Sequence, residues 1–479
     1  METLSHIINN QHVTARPHEW GNVYNPATGA VIGQVPLDDG QAVDQAVEAS
    51  HQAYLSWADT PILERARVMF RFRELLVRHQ EEVAALITQE HGKIFSDAYG
   101  EVGRAIEVVE LAAGAPSLLK GEWLPHVAHG IETSMLRVPL GVVAGITAFN
   151  FPAMIPLWMI PPAIVCGNTF ILKPSEQTPL TSMRLWELLQ EAGVPAGVVN
   201  IVHGGRQVAE NILQHPGIQA VSFVGSQPVA EYIYHTASRA GKRVQALGGA
   251  KNYHVVMPDA DLPRTVEALT SSAFGSAGER CLAGSVVIAV GDIAGELAEA
   301  MADRATRLKV GEGMQEDSEM GPLIRARHLE RVTGYIERGV AQGASLVYDG
   351  RQHPVPREGF FLGPTLFDQV TSDMTIAQEE IFGPVLSMMR EPTLEDAVRT
   401  ANRSRYGNTA TIYTDSGQAA QYFRNRIEAG MVGINVGIPA PVAWFPFAGW
   451  KNSFYGDLHA TGLDAFWFYT ERRVITTRW

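Results

Sequence analysis

Between residues 138 and 249 the chain alternates short apolar runs with segments of helical length, and this restricts the fold more than any other feature. "VPLGVVAGITAFNFP" ends a buried strand in a loop at Asn150. "GNTFILKPSEQTPL" repeats strand and loop, then enters the helical "TSMRLWELLQEAG". "VVNIVHG" and "AVSFVGS" are two more strands, each running into a Gly-containing turn and a helix. Short apolar strands alternating with helices predict a parallel sheet with helical crossovers, an α/β fold. Ligands of such sheets bind at the C-terminal strand ends. Loops 147–152, 173–177 and 225–227 gather there.

A second α/β pattern begins near residue 250. Upstream, Thr60-Pro61 reads as a helix start, and "ILERARVMFRFRELLVRHQEEVAALITQEHGK" has apolar residues at helical spacing up to Gly92. A further helix is predicted over about 97–115 and carries Arg104. The ending "FWFYTERRVITTRW" reads as an aromatic strand with no obvious neighbour in sequence, suited to completing a sheet elsewhere, even in another subunit. No charged residue falls between Arg137 and Lys173, but Pro139, Pro152, Pro156, Pro161 and Pro162 break that stretch. A membrane helix needs about 20 continuous apolar residues, so a strand, a loop and a short helix are predicted instead.

The 479 residues carry a net charge of −13, which disfavours nucleic acid and anionic membranes as partners. Two cysteines cannot make a disulfide framework, and no secretory signal is visible, so a reducing, cytoplasmic setting is expected. Cys166 lies in the apolar "PPAIVCGNTF" and reads as structural. Cys281 lies in "GERCLAG", between Gly278 and Gly284 and directly after Arg280. A free cysteine is usually a small buried hydrophobe. A guanidinium beside it can lower its pKa and favour the nucleophilic thiolate. Asn150, at a strand end before proline, is an ordinary turn residue or an oxyanion donor. Lys173 and Glu176 are a solvated loop or a ribose site, and Gly225-Ser226 sits where helix N-terminal amides hold pyrophosphate. Neither GxGxxG nor GxxxxGK[ST] occurs, so motif rules alone support nucleotide binding only weakly. No zinc spacing and no HExxH is present, and no metal is expected.

Taken together, "FNFP" (149–152), "LKPSEQTP" (172–179), "FVGS" (223–226), "GERC" (278–281) and "EEIFGPV" (379–385) resemble the aldehyde dehydrogenase superfamily over nearly the full chain. "FNFPAMIPLWMIPPAIVCGNTF", "GAKNYHVVMPDAD", "AFGSAGERC" and the ending from "NSFYGDLHATG" onward are similar to its methylmalonate-semialdehyde dehydrogenase branch. The resemblance implies a Rossmann-like NAD domain (1–118 and 138–249), a catalytic domain (250–447) and a small β oligomerisation unit (119–137 and 448–479), assembled as a homodimer or homotetramer. It implies NAD as cofactor and coenzyme A as co-substrate. Cys281 would be the nucleophile, with Asn150 and the Cys281 backbone N–H as oxyanion hole. Lys173, Glu176 and Ser226 would hold the adenosine and pyrophosphate, with Gln177 and Gly225 beside them. Glu380 would hold the nicotinamide ribose, Phe382 would flank the ring, and Thr147, Phe149 and Gly248 would line the groove. Arg280 and Arg104 would grip a substrate carboxylate bidentately.

Hydrolytic members carry a glutamate base in "ELGGK", 34 residues before the cysteine; here that position is Leu247. Leucine cannot activate water, whereas a thiol such as CoA needs less help. The implied reaction is oxidation of malonate or methylmalonate semialdehyde to acetyl- or propanoyl-CoA with loss of carbon dioxide. The alternative is a CoA-independent dehydrogenase of another short anionic aldehyde. Glu279 stands where glutamine is usual and is expected to add negative charge near the thiol. Leu282 and Gln177 also depart from the branch, as does "PAPVAWFPFAGW" (439–450) at the expected pocket mouth.

Overall fold

A computed structural model describes residues 2–15, 17, 19–37 and 40–479. Its largest sheet has eight strands in the order Phe454–Tyr455, Arg243–Leu247, Ala220–Val224, Val142–Ile146, Thr169–Lys173, Val199–Ile201, His6–Ile8, Gln11–Val13. The five central strands run parallel. All but Arg243 of their residues are buried, which matches their unbroken apolar runs. The chain lays down Val142–Ile146, Thr169–Lys173 and Val199–Ile201 in one direction. It then returns to place Ala220–Val224 and Arg243–Leu247 on the other side of Val142–Ile146. That reversal opens a crevice at the C-terminal ends of the two strands flanking it.

A second sheet of seven strands runs Ser345–Tyr348, Thr365–Asp368, Val385–Glu391, Gly284–Val290, Asn252–Val256, Thr409–Tyr413, Met431–Ile434, parallel except at its first strand. Each large sheet has its own apolar core. The α/β class expected from the sequence is therefore present twice.

Three local features differ from the sequence expectation. The long helical stretch before Gly92 is two helices, Ile62–Arg78 and Gln80–His91, broken at His79, and the Thr60 hydroxyl bonds back to the Ser56 carbonyl rather than capping. Gly92 does close the second with φ of 93°, in the left-handed region. The aromatic "FWF" of the C-terminus belongs to a helix, Gly462–Phe468, and only Thr470–Arg478 is a strand. In keeping with the sequence reading, that strand completes a sheet elsewhere in the chain: it pairs antiparallel with Ile131–Pro139, which also pairs with Glu122–Ala128.

The predicted short helix is Met154–Val165, buried throughout except at Met154, with Pro161 and Pro162 inside it. Trp57 Nε1 and Arg65 Nε donate to the Ile164 and Val165 carbonyls at its end, each at 2.9 Å. Among the described residues, no helix is long and apolar enough to cross a membrane.

Candidate active site

Cys281 lies on the loop entering the strand Gly284–Val290. The preceding turn is bound by close approach. Ser276, Ala277 and Gly278 all have positive φ (50°, 52° and 72°). A Cβ on Gly278 would lie 2.3 Å from the Gly383 carbonyl oxygen. The strain of two left-handed non-glycine residues is offset by local bonds: Ser276 Oγ donates to Asp97 and accepts from Arg280 Nε, both at 3.2 Å. The Cys281 carbonyl accepts from the side-chain amides of Asn252 and Asn408, both at 2.9 Å. The Cys281 backbone is thus held from the start of the strand Asn252–Val256 and from the residue preceding the strand Thr409–Tyr413.

Two cavities meet at Cys281. The larger, about 1000 Å³, runs along the crevice of the first sheet. Thr147, Phe149, Asn150, Lys173, Glu176, Gln177, Gly225, Ser226, Gly248, Cys281, Glu380 and Phe382 all line it. The smaller, about 350 Å³, is lined by Cys281, Arg280, Arg104, Asp97, Phe151, Trp158 and Phe447, among others. Every residue selected from the sequence for cofactor or substrate therefore borders one cavity or the other. Leu247 is buried in the strand beside this crevice and paired with Phe454. It offers no acid–base group.

The larger cavity has the chemistry of a dinucleotide site. Lys173 is buried, and its ammonium donates to the Pro174 and Gly204 carbonyls at 3.0 and 2.6 Å with Glu176 at 3.8 Å. Burial lowers its pKa. Ser226 is the N-cap of the 13-residue helix Gln227–Arg239, with no side-chain cap bond. Pro228 has no N–H and the Val229 amide donates to the Ser226 carbonyl at 3.1 Å, so the Gln227 amide is the first-turn donor left to face an anion at this helix N-terminus. Gly248 lies beneath the Asn452 carbonyl, where a Cβ would come within 2.9 Å. The Glu380 carboxylate accepts from the Ala250 amide at 2.9 Å, and burial raises its pKa to about 7. Phe382 holds a φ of 60°, and its carbonyl accepts from His328 Nε2 at 2.6 Å. Arg331 donates to the Glu380 and Ile381 carbonyls at 2.8 and 2.9 Å. One helix, Ala326–Ala341, thus fixes the strained segment carrying both Glu380 and Phe382.

Two electrostatic expectations are overturned. The Cys281 thiol is pushed up to about 12, first by burial and second by the Glu380 carboxylate; Arg280 opposes this least among the groups that lower it. Arg280 does not free a thiolate because its own charge is engaged, with Nη2 on Asp97 at 2.6 Å. Glu279 adds no negative charge beside the thiol. Its side chain is wholly buried and turned away, accepting from the Ile324 amide at 3.2 Å with His328 and His91 nitrogens 3.4 and 3.8 Å away. Burial holds its carboxyl well above the usual range, which favours the neutral acid.

The arginines are also more occupied than the sequence suggests. Arg280 Nη1 reaches the Ser271 carbonyl at 3.3 Å. Arg104 bonds Glu107 through Nη1 and the Ala440 and Pro441 carbonyls through Nη2. Each guanidinium is neutralised by one acid, so the smaller cavity offers directed N–H groups rather than net positive charge.

Sequence reasoning missed Lys93, Glu101, Asp97, Asn252 and Asn408. Their signal was position alone: Asp97 and Glu101 precede Arg104 on one helix, and Asn252 follows "LGGAK".

The aldehyde dehydrogenase family profile matches residues 13–475. The chain is 54% identical to malonate-semialdehyde dehydrogenase 1 of Geobacillus thermodenitrificans, covering 100% of this chain and 99% of that protein. It is 53% identical to malonate-semialdehyde dehydrogenase of Halalkalibacterium halodurans at the same coverage. Among solved structures, methylmalonate-semialdehyde dehydrogenase from Oceanimonas doudoroffii superposes with a TM-score of 0.98 at 52% identity, covering 100% and 99% of the two chains. A Sinorhizobium meliloti 1021 protein complexed with NAD gives 0.98 at 45% identity, covering 100% and 98%. With a cysteine at the junction of a dinucleotide-shaped crevice and a second pocket, and with these relatives along its full length, the chain belongs to the aldehyde dehydrogenase family.

Proposed function

We propose that this protein oxidises malonate or methylmalonate semialdehyde with NAD, transfers the acyl group to coenzyme A with loss of carbon dioxide, and works as a homo-oligomer in the cytoplasm. The observation that carries this reading is the position of Cys281 between the larger cavity and the pocket of Arg280 and Arg104. The names of the relatives point to the same substrates.

Lys173, Glu176 and the Ser226 helix N-terminus would hold the adenosine and pyrophosphate of NAD, with Gln177 and Gly225 beside them. Glu380 would take the nicotinamide ribose, with Phe382, Phe149, Thr147 and Gly248 shaping the groove. Bound NAD supplies the hydride acceptor. The remaining N–H groups of Arg280 and Arg104 orient the substrate carboxylate in the smaller pocket. Cys281 gives up its thiol proton to solvent, its Sγ bonds the aldehyde carbon, and the carbonyl π pair moves onto oxygen. The Asn150 amide and the Cys281 backbone N–H donate to that oxyanion. Collapse of the oxyanion expels hydride and leaves a thioester on Cys281. The β-carboxylate then departs as carbon dioxide, its C–C bond pair taken up by the thioester enolate and then by a proton. CoA sulfur attacks the acyl carbon, and Cys281 leaves as thiolate. Leu247 provides no base for water at this last step, which favours the thiol acceptor.

NADH production from both semialdehydes, with and without CoA and with Cys281→Ala as blank, tests the reading. Turnover that requires CoA and vanishes in the variant is expected. Equal rates without CoA would select the hydrolytic alternative and demand another base.

A further inference from the structure

Asn150 is placed by a buried ion pair. Lys93 follows Gly92 at the end of the helix Gln80–His91, and Glu101 lies on the helix Phe95–Ala113. Both side chains are fully buried, 2.7 Å apart. The Lys93 ammonium donates to Glu101 Oε2 and, at 2.6 Å, to the backbone carbonyl of Asn150. It also stands 4.1 Å from the centre of the Phe151 ring. The other carboxylate oxygen, Glu101 Oε1, accepts from the Ala153 and Met154 amides at 2.8 and 3.1 Å. The pair therefore grips the 150–154 loop from both ends, through a carbonyl at its start and the amides opening the helix Met154–Val165. On the far side the Asn150 side-chain amide donates to the Glu279 carbonyl at 3.0 Å, one residue from Arg280 and two from the nucleophile.

Resting on the proposed function, we propose that Lys93 and Glu101 are positioning residues that set the Asn150 amide for the oxyanion. Stability alone does not account for the pair. A buried ion pair is often no more stabilising than apolar residues of the same shape, because both charges must be desolvated. Its value is geometric: an oxyanion donor contributes only when fixed before the charge develops.

The test needs neither semialdehyde, NAD nor CoA. p-Nitrophenyl acetate acylates a thiol directly: the Cys281 S–C bond forms, p-nitrophenolate leaves, and the thiol proton passes to solvent. The burst rate reads the nucleophile and oxyanion donor alone. On the full chain, Asn150→Ala is expected to slow the burst about 100-fold, within the range of a lost oxyanion donor. Lys93→Met should slow it about 10-fold or more while the burst KM stays within about 2-fold, because an interaction made in the transition state is lost. In the Asn150→Ala background Lys93→Met should cost less than about 2-fold more, since residues acting as a unit are not additive. Lys93→Arg should recover part of the rate. If Lys93→Met does not fold, Glu101→Gln keeps the side-chain volume, removes the charge pair and reads the same coupling.

Losses that multiply fully in the double variant, or an unaltered burst in the folded single variants, would overturn the inference. So would an Asn150→Ala burst equal to the parent. A parent enzyme that shows this coupling yet gives no NADH from either semialdehyde would leave the positioning role standing and remove the substrate assignment.

Discussion

The Cys281 thiol sits beside a carboxylate that opposes its ionisation. With its pKa near 12, the thiolate fraction rises about tenfold per pH unit through the neutral range. Glu380, midpoint about 7, is mostly charged at pH 8 and mostly neutral at pH 6. Glu380→Gln should therefore speed iodoacetamide alkylation of Cys281 several-fold at pH 8 and much less at pH 6. Mass spectrometry of the Cys281 peptide, with buried Cys166 as internal control, checks both. Glu279 gives the second prediction at this scale. Burial raises its folded carboxyl well above the usual range, whereas in the unfolded chain it ionises at about 4.3. Between those values the native state holds a proton that the unfolded state has released, so this group makes stability fall as pH rises. The nearby His91 and His328 are held neutral by burial, His328 at about 4, and do not ionise to offset it across that range. Glu279→Gln removes the linkage. Its melting temperature should exceed the parent's by a degree or more at pH 8, since an unfolding entropy of about 2.1 cal/mol/K per residue makes each kcal/mol worth about 1 °C in a chain of 479 residues, and the gap should close towards pH 5.

At the scale of elements, the turn before Cys281 is docked on the loop ahead of the strand Val385–Glu391. Gly278→Ala would press a Cβ onto the Gly383 carbonyl at a φ of 72°. Strain of this kind costs on the order of 1–3 kcal/mol before any clash. A lower melting temperature and at least about a 10-fold fall in burst rate are expected, read by calorimetry and stopped flow on one preparation. This docking also explains what the sequence disclosed and what it hid. Parallel strands, the crevice loops and the residues on them are legible because buried strands must be apolar and polar groups at their ends stand out. Thus Lys173, Gly225-Ser226 and Cys281 could be picked from local pattern, and the family resemblance added Glu380 and Phe382. The break at His79 was not legible, because apolar spacing continues across it. Nor was the state of Arg280 or Glu279, since each depends on a partner distant in sequence: Asp97 for one, Ile324 and two histidines for the other. Charge written in a sequence is formal; burial and pairing decide how much survives.

Among the described residues, at the scale of the whole molecule, one sheet is left bare by its own chain. Glu122–Ala128, Ile131–Pro139 and Thr470–Arg478 make three strands with almost no buried residue. Trp123 (63%), Leu124 (62%), Val474 (64%) and Trp479 (88%) stand exposed on or beside it. A small sheet with apolar faces open to water is marginal alone, and contiguous apolar exposure marks an interaction surface. Its outer strands, Glu122–Ala128 and Thr470–Arg478, also have unpaired backbone edges. A second copy of the chain can cover both, which is why a homodimer or homotetramer belongs to the proposed function. Val474 points into solvent from an outer strand, so Val474→Glu should leave the subunit fold intact while placing a charge on the surface to be covered. Light scattering after size-exclusion chromatography should show the parent at a multiple of 52.2 kDa and the variant shifted towards smaller species at micromolar concentration. The melting temperature should fall with dilution in the parent, because association stabilises by mass action, and lose that dependence in the variant. A parent that elutes as a monomer at every concentration would leave this sheet without its covering partner and remove the oligomer from the proposed function. The burst at Cys281 would be unaffected, since no residue of the three strands lines either cavity.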